Sequence, residues 1–378
     1  MAKKDSSPRR LKGYYKFSKK YPSRRGTGYA IGESRKMKKR ERSLKVLTAF
    51  LLIALFAVAF VGVSLYIKLS ARPLPEKKPE TENTVTVENM GEIRAIFLEN
   101  ATLGDADGFS RFLENAKKNG FNTVMLDFKD SNGVLTYGSS LIDIPAGYEY
   151  NEVNQAVLDK IKTEGFKVIA RVYCFEDSIS PQRLGAYVYE DPEKTKIWFD
   201  APAVQGGGAW LDPVNERAQN YLCSVIKEIS AFGADCIYLE SVEFPAAYNG
   251  AVPVFTADDT TLNKNRVLMQ FIEKASSAAG NRPLFMGTSY DGAVGGDAEK
   301  LGGTLFDTAA SVCSPLIEKP ESGDYISLIE TEYAKLNDSV KNNFTTLKVV
   351  PTVKNQPEDT NFYEKLSHSA AKSYIIVP

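Results

Sequence analysis

Residues 231–245 read AFGADCIYLESVEFP, and the order of residue types in this stretch decides the fold. A helix-compatible run closes at Phe232, Gly233 offers the left-handed turn that ends a helix, and Cys236 to Glu240 is an apolar run of strand length. Two carboxylates, Glu240 and Glu243, follow at once. A helix, a glycine turn, a buried strand and acidic side chains at its carboxyl end form one unit of a βα repeat, with the acids where barrel enzymes place their chemistry.

The same junction occurs twice upstream, as Asn119-Gly120-Phe121-Asn122 and Glu164-Gly165-Phe166-Lys167. Further outward, strands are predicted at 93–99, 123–129, 168–175, 236–240, 284–289, 308–314, 347–353 and 374–377. They are mostly continuous apolar runs, as strands covered on both faces require. Amphipathic stretches at 107–119, 153–164, 216–232, 262–279, 325–342 and 362–371 lie between them. Eight strands alternating with helices over residues 91–378 predict an α/β fold, a (β/α)8 TIM barrel. A doubly wound open sheet is the alternative, but no Gly-rich phosphate loop accompanies it. The sequence stops at Pro378, directly after the eighth strand, so it does not contain the helix that normally follows; this weakens the expectation of closure without removing it.

Before the repeat, three segments of different composition succeed one another. Residues 1–45 hold 17 Lys and Arg against 3 Asp and Glu, lack apolar periodicity, and read as a disordered basic tail. Residues 46–67, VLTAFLLIALFAVAFVGVSLYI, are 22 residues without a charge, long enough for a transmembrane helix and too long for a signal-peptide core. The basic side faces the cytoplasm under the positive-inside rule, which places everything after Lys68 outside the cell membrane. Residues 68–90, rich in Pro, Glu and Thr, read as an extended stalk. The formal net charge of zero therefore conceals +14 on the tail and −14 on the rest, where 30 basic residues stand against 44 acidic ones. That asymmetry suits contact with anionic membrane lipid through the tail and disfavours nucleic acid as a partner of the acidic body.

The four cysteines, Cys174, Cys223, Cys236 and Cys313, have no CxxC spacing and read as small buried hydrophobes. The lone histidine, His368, excludes two-His metal sites and makes a Ser-His-Asp triad improbable. No cofactor or metal is implied, and acid–base chemistry must rest on carboxylates, Lys, Tyr or Cys. At predicted strand ends stand Asp127 and Lys129, Glu176 and Asp177, Glu240 and Glu243, Tyr290 and Asp291, and Lys354. Two carboxylates facing one another across a barrel mouth are what glycoside hydrolysis needs, one as acid and the other as nucleophile or base. Structural roles compete at each position. Asp127 and Lys129 could pair with each other, Asp177 and Asp291 could be turn residues, and Arg171 within its apolar strand needs a partner such as Glu240 or Asp127. The long connection 176–212 carries both tryptophans, Trp198 and Trp210, and a Gly206-Gly207-Gly208 run. Its aromatic rings either stack on sugar faces or pack the loop onto the barrel.

Several runs in order, NTVMLDFKD at 122–130, VIARVYCFED at 168–177, AWLDPVN at 209–215 and DCIYLESVEFP at 235–245, resemble the glycosyl hydrolase domain family of bacterial cell-surface proteins, first catalogued as a domain of unknown function. The resemblance covers residues 92–378 and implies a TIM barrel acting on polysaccharide or cell-wall glycan. The family's fourth-strand motif, Asp-Tyr-(Ile/Val)-Arg-Phe-Pro, here reads Glu240-Ser241-Val242-Glu243-Phe244-Pro245, so the presumed catalytic aspartate is one methylene longer and the arginine has become an acid. Asp127, Lys129, Arg171 and Asp212 stand as the pattern has them. The expected site has Glu240 as nucleophile or base, Asp291 or Asp177 as partner acid, and Asp127, Lys129, Arg171, Trp198, Trp210, Glu243 and Tyr290 around the substrate. The alternative is a catalytically degenerate barrel serving as a glycan-binding or cell-envelope scaffold.

Overall fold

The computed structural model describes residues 91–141, 152–257, 262–280, 282–303, 311–343 and 347–378. The basic tail, the apolar stretch 46–67 and the stalk lie outside them. Among the described residues no helix is long and apolar enough to cross a membrane.

Nine strands, β1 (Arg94–Phe97), β2 (Thr123–Lys129), β3 (Lys167–Tyr173), β4 (Cys236–Glu240), β5 (Leu284–Ser289), β6 (Val312–Ile317), β7 (Lys348–Val349), β8 (Thr352–Lys354) and β9 (Tyr374–Val377), form one all-parallel sheet. Both β7 and β8 pair with β6, so they are two halves of one broken stave. The break falls at Val350-Pro351, where proline supplies no amide hydrogen to the ladder. Pairing of β5 with β6, and of Arg94 on β1 with Tyr374 on β9, closes the sheet into an eight-stave barrel. The closed ring excludes the open doubly wound sheet. A groove of about 500 Å³ on the outside of the ring is lined by Ile96, Phe112, Phe121, Tyr363 and Ile376 among others. Two expected strands are corrected. The sixth, expected at 308–314, runs over Val312–Ile317 and so extends past 314, with 308–310 lying outside the described residues, and the seventh is split.

Helices α1 (Ala106–Lys118), α2 (Gln155–Thr163), α3 (Ser180–Leu184), α4 (Glu216–Phe232), α5 (Lys264–Ala279), α6 (Tyr290–Val294), α7 (Tyr325–Asn343) and α8 (Phe362–His368) connect the strands. Side chains of Asp105, Asn154, Asn215 and Asn263 accept from backbone N–H groups in the first turns of α1, α2, α4 and α5. The three glycine junctions named above turn the chain at φ +77° (Gly120), +91° (Gly165) and +110° (Gly233), values that L side chains rarely adopt.

Strand periodicity then divides the core into two layers. Ile93, Ala95, Met125, Ile169, Cys236, Tyr238, Phe285, Val312, Val350, Ile375 and Val377 fill the barrel interior. Their neighbours, such as Val168, Ala170, Val172, Ile237 and Leu239, pack outward in one cluster with Leu222, Val225 and Ile226 of α4 and Phe271 of α5. All four cysteines are free thiols, and three of them, Cys174, Cys236 and Cys313, are buried.

One polar pair belongs to this scaffold. A bulge between Asp127 and Lys129 shifts the β2–β3 register, so Lys129 lies opposite Val172 instead of continuing the inward row. Its ammonium, fully buried, lies 2.8 Å from the equally buried Asp177 carboxylate and donates to the Tyr173 carbonyl at 2.8 Å. Asp177 Oδ1 in turn accepts from the N–H groups of Ile179 and Ser180, at 2.9 and 2.7 Å, fixing the turn into α3. Replacing Lys129 by Met would leave Asp177 charged and uncompensated in the core. Urea denaturation of the Lys129→Met variant is expected to show a loss of about 3–5 kcal/mol relative to the unmodified protein.

Candidate active site

Period-two alternation carries the inward rows of four staves to the carboxyl-terminal mouth. Continuing from Met125, Ile169, Cys236 and Val350, the next inward residues are Asp127, then Arg171 and Tyr173, then Tyr238 and Glu240, then Thr352 and Lys354. All but Asp127 line a cavity of about 390 Å³, walled by Arg171, Tyr173, Glu176, Tyr238, Glu240 and Ser241 on one side, with Leu316, Thr352, Lys354, Val377 and Pro378 completing the wall. Polar contacts seal its floor. The Tyr238 hydroxyl lies 3.1 Å from Thr352 Oγ1, and Ser314 Oγ donates to the Val350 carbonyl at 2.6 Å.

Arg171 is the anchoring cation. Its Nε and Nη2 donate to the two oxygens of Asp127 at 2.5 and 2.9 Å, a fork-on-fork pair across adjacent strands. Its guanidinium also sits over the rings of Phe97 and Tyr173, 4.2 and 5.1 Å from their centroids. Burial works against the charge on Arg171, yet Asp127 outweighs it and holds the pKa above its ordinary value. Of the two partners open to Arg171, the pairing is thus with Asp127, and Asp127 and Lys129 do not pair with each other.

Glu240 is in the opposite condition. Among the described residues nothing hydrogen-bonds its carboxyl. Burial, with Glu243, Glu176 and Asp127 adding negative charge against the opposing charge of Arg171, pushes its pKa up to about 7. Gly287 on β5 makes room for it, since a methyl there would fall 2.9 Å from Glu240 Oε1 and 2.7 Å from the Tyr238 hydroxyl. The next residue, Ser241, adopts φ +51°, a left-handed conformation costing about 1–3 kcal/mol for a non-glycine residue. That turn directs Ser241 Oγ to donate to Glu176 Oε2 at 2.7 Å. Burial raises the pKa of Glu176 as well, partly offset by this hydrogen bond.

The remaining residues expected at the site are spread out. Asp177 is sealed beneath the cavity with Lys129, and its neighbour Glu176 faces the cavity instead. Asp291 is exposed in the first turn of α6, next to half-buried Tyr290, and neither lines the cavity. Trp198 is buried and donates its indole N–H to the Ala251 carbonyl at 3.1 Å; Trp210 donates to the Asp200 carboxylate at 2.9 Å. Trp210 and the Tyr187–Leu211 bridge tie the long connection to itself, Trp198 and the Tyr189–Val254 bridge tie it to the segment after β4, and neither tryptophan lines the cavity. Buried Asp212 accepts from Val214 N, Thr256 N and Thr256 Oγ1 and closes the same loop. Glu243 stands beside the mouth, paired with Lys300 at 2.8 Å. Sequence reasoning passed over Lys300 and preferred Asp177 to Glu176. No local pattern marks Lys300, whereas Glu176 could have been found as the acid not needed to cap the turn into α3.

No curated protein matches the chain. Among solved structures, the chain is similar to a hypothetical protein from Ruminiclostridium thermocellum (22% identity over 50% of this chain and 96% of that one, TM-score 0.44). It is also similar to an α-galactosidase from Thermus thermophilus (13% identity, covering 76% of this chain and 58% of that one, TM-score 0.47) and an endocellulase from Pyrococcus horikoshii (14%, 75% and 84%, TM-score 0.43). The family model described as "putative glycosyl hydrolase domain" matches residues 95–313, from β1 into β6, and the chain belongs to that family.

Proposed function

We propose that this barrel hydrolyses glycosidic bonds in a polysaccharide or cell-wall glycan, with Glu240 as the proton donor and Glu176 as the partner carboxylate. The observation that carries the reading is Glu240 itself, an unbonded carboxyl in the mouth cavity, poised near pH 7 beside a second acid. Glu240 passes its proton to the glycosidic oxygen as the bond to the anomeric carbon breaks. Glu176 either attacks that carbon or deprotonates the water that does, and water supplies the hydroxyl group of the new reducing end. Asp127 and Arg171 hold the local charge balance. These roles differ from those the sequence suggested, since burial makes Glu240 the acid, while Asp177 and Asp291 lie away from the cavity. The charge-free stretch 46–67 and the basic tail before it support a tethered domain working outside the cell membrane.

Glycan-release profiling of the purified full chain beside Glu240→Gln tests the reading, with at least a 100-fold loss of rate expected in the variant. Equal background traces from both proteins, with retained binding, would select the non-hydrolytic glycan-binding barrel. A proton donor must be protonated in the free enzyme, so kcat/KM is expected to decline as pH rises through about 7. Its acid limb should reflect Glu176 and lie above the ordinary glutamate value.

Stability follows the same proton. With its folded pKa raised above 4.5, Glu240 binds more protons in the native state, so stability is retained below about 4.5 and falls as pH rises toward 7. Glu240→Gln removes that penalty. Thermal melts of the variant and the unmodified protein should therefore diverge in the variant's favour between pH 5 and pH 8, by about 1–3 kcal/mol.

A further inference from the structure

We infer that Lys300, acting through Glu243, is a positioning residue that sets the electrostatic state of the proton donor Glu240 from a loop outside the cavity. The inference rests on the acid role proposed for Glu240, but its geometry is independent of turnover. Lys300 Nζ lies 2.8 Å from Glu243 Oε1, with side-chain exposures of 41% and 21%, and Glu243 is three residues beyond Glu240 on the same rim. The loop carrying Lys300 is fastened to that rim. Phe244 N donates to the Lys300 carbonyl at 2.9 Å, Ala247 N donates to Glu299 Oε1 at 2.7 Å, and Lys300 N donates to Asp297 Oδ1 at 2.8 Å. The Lys264 ammonium, over the rings of Phe244 and Phe255, donates to the Glu299 carbonyl at 2.5 Å. The ammonium is therefore delivered to Glu243 by a braced loop.

Charges around Glu240 come from every wall: Arg171 from β3, Asp127 from β2, Glu176 after β3, Lys354 across the cavity on β8, and Glu243 on its own rim, with the phenols of Tyr173 and Tyr238 alongside. Arg171 is committed to Asp127, and Glu176 to Ser241. Glu243 is the acid whose charge is partly offset from outside, by Lys300. Without Lys300 its full negative charge would act on Glu240 and hold the proton more tightly. Without Glu243 the unpaired ammonium would release it.

Three variants of the full chain test this: Lys300→Met, Glu243→Gln and the double substitution. The readouts are the titration of the Glu240 carboxyl carbon by 13C NMR, its signal assigned by loss in Glu240→Gln, and the alkaline limb of the kcat/KM profile. The Glu240 midpoint is expected to rise by about half a pH unit or more in Lys300→Met, to fall by a similar amount in Glu243→Gln, and to return near its starting value in the double variant. A merely structural pair would lower stability in all three without opposed midpoints, and midpoints that move together or not at all would overturn the inference. Opposed midpoints in a protein that cleaves no glycan would uphold the pair while removing the hydrolase reading.

Discussion

A closed ring of parallel strands forces every second side chain of each stave into a narrow shared interior, and the whole mouth of this protein follows from how charge is accommodated there. Below, the interior is apolar, with Met125, Ile169, Phe285 and Ile375 meeting across the axis. One step toward the carboxyl ends the rows of Met125 and Ile169 become Asp127 and Arg171. A cation there persists only where an anion and flat aromatic faces surround it, and Arg171 has both in Asp127, Phe97 and Tyr173. Because that pair is satisfied internally, the acid one layer higher is left with desolvation and like charges, the combination that keeps a carboxyl protonated near neutrality. The neutral acid is a consequence of the paired one beneath it.

Two ion pairs close in sequence, one partly and one fully buried, do different work. Asp127 and Arg171 obey the alternation, and Arg171 lines the chamber with Asp127 behind it. Lys129, two residues on, is displaced by a bulge and joins Asp177 under the loop. A single irregularity in β2 thus separates the chemical layer from the load on the scaffold, and it explains how adjacent acids, Glu176 and Asp177, have opposite fates.

Much of this was legible from residues alone. Glycine after each of three helices, with continuous apolar runs behind them, predicts the βα repeat. Counting by twos from Cys236 through Tyr238 places Glu240 inside. Arg171, unable to be buried alone, announces a partner, and Asp127 was one of two candidates. What was hidden has physical reasons. The bulge has no sequence mark, so Lys129 looked like a partner for Asp127. Trp198 and Trp210 looked equally fit for sugar or loop, because an indole serves either, and only the positions of Ala251 and Asp200, far along or folded back, decide it. Pro351 was visible, yet its effect, splitting one stave into β7 and β8, depends on the neighbouring ladder. Lys300 comes from another loop, and ion pairs between loops leave no spacing to read.

Position 287 carries a final implication. The fifth stave offers the mouth only backbone where its neighbour offers a phenol and an acid, and the volume a methyl group would fill is already taken by the Glu240 carboxyl. Glycine here acts as a socket. Any larger residue would have to push the Tyr238 ring, the Glu240 carboxyl or both out of the positions they hold at the mouth. The identity of the acid is therefore set as much by a missing side chain on the adjacent strand as by the glutamate itself.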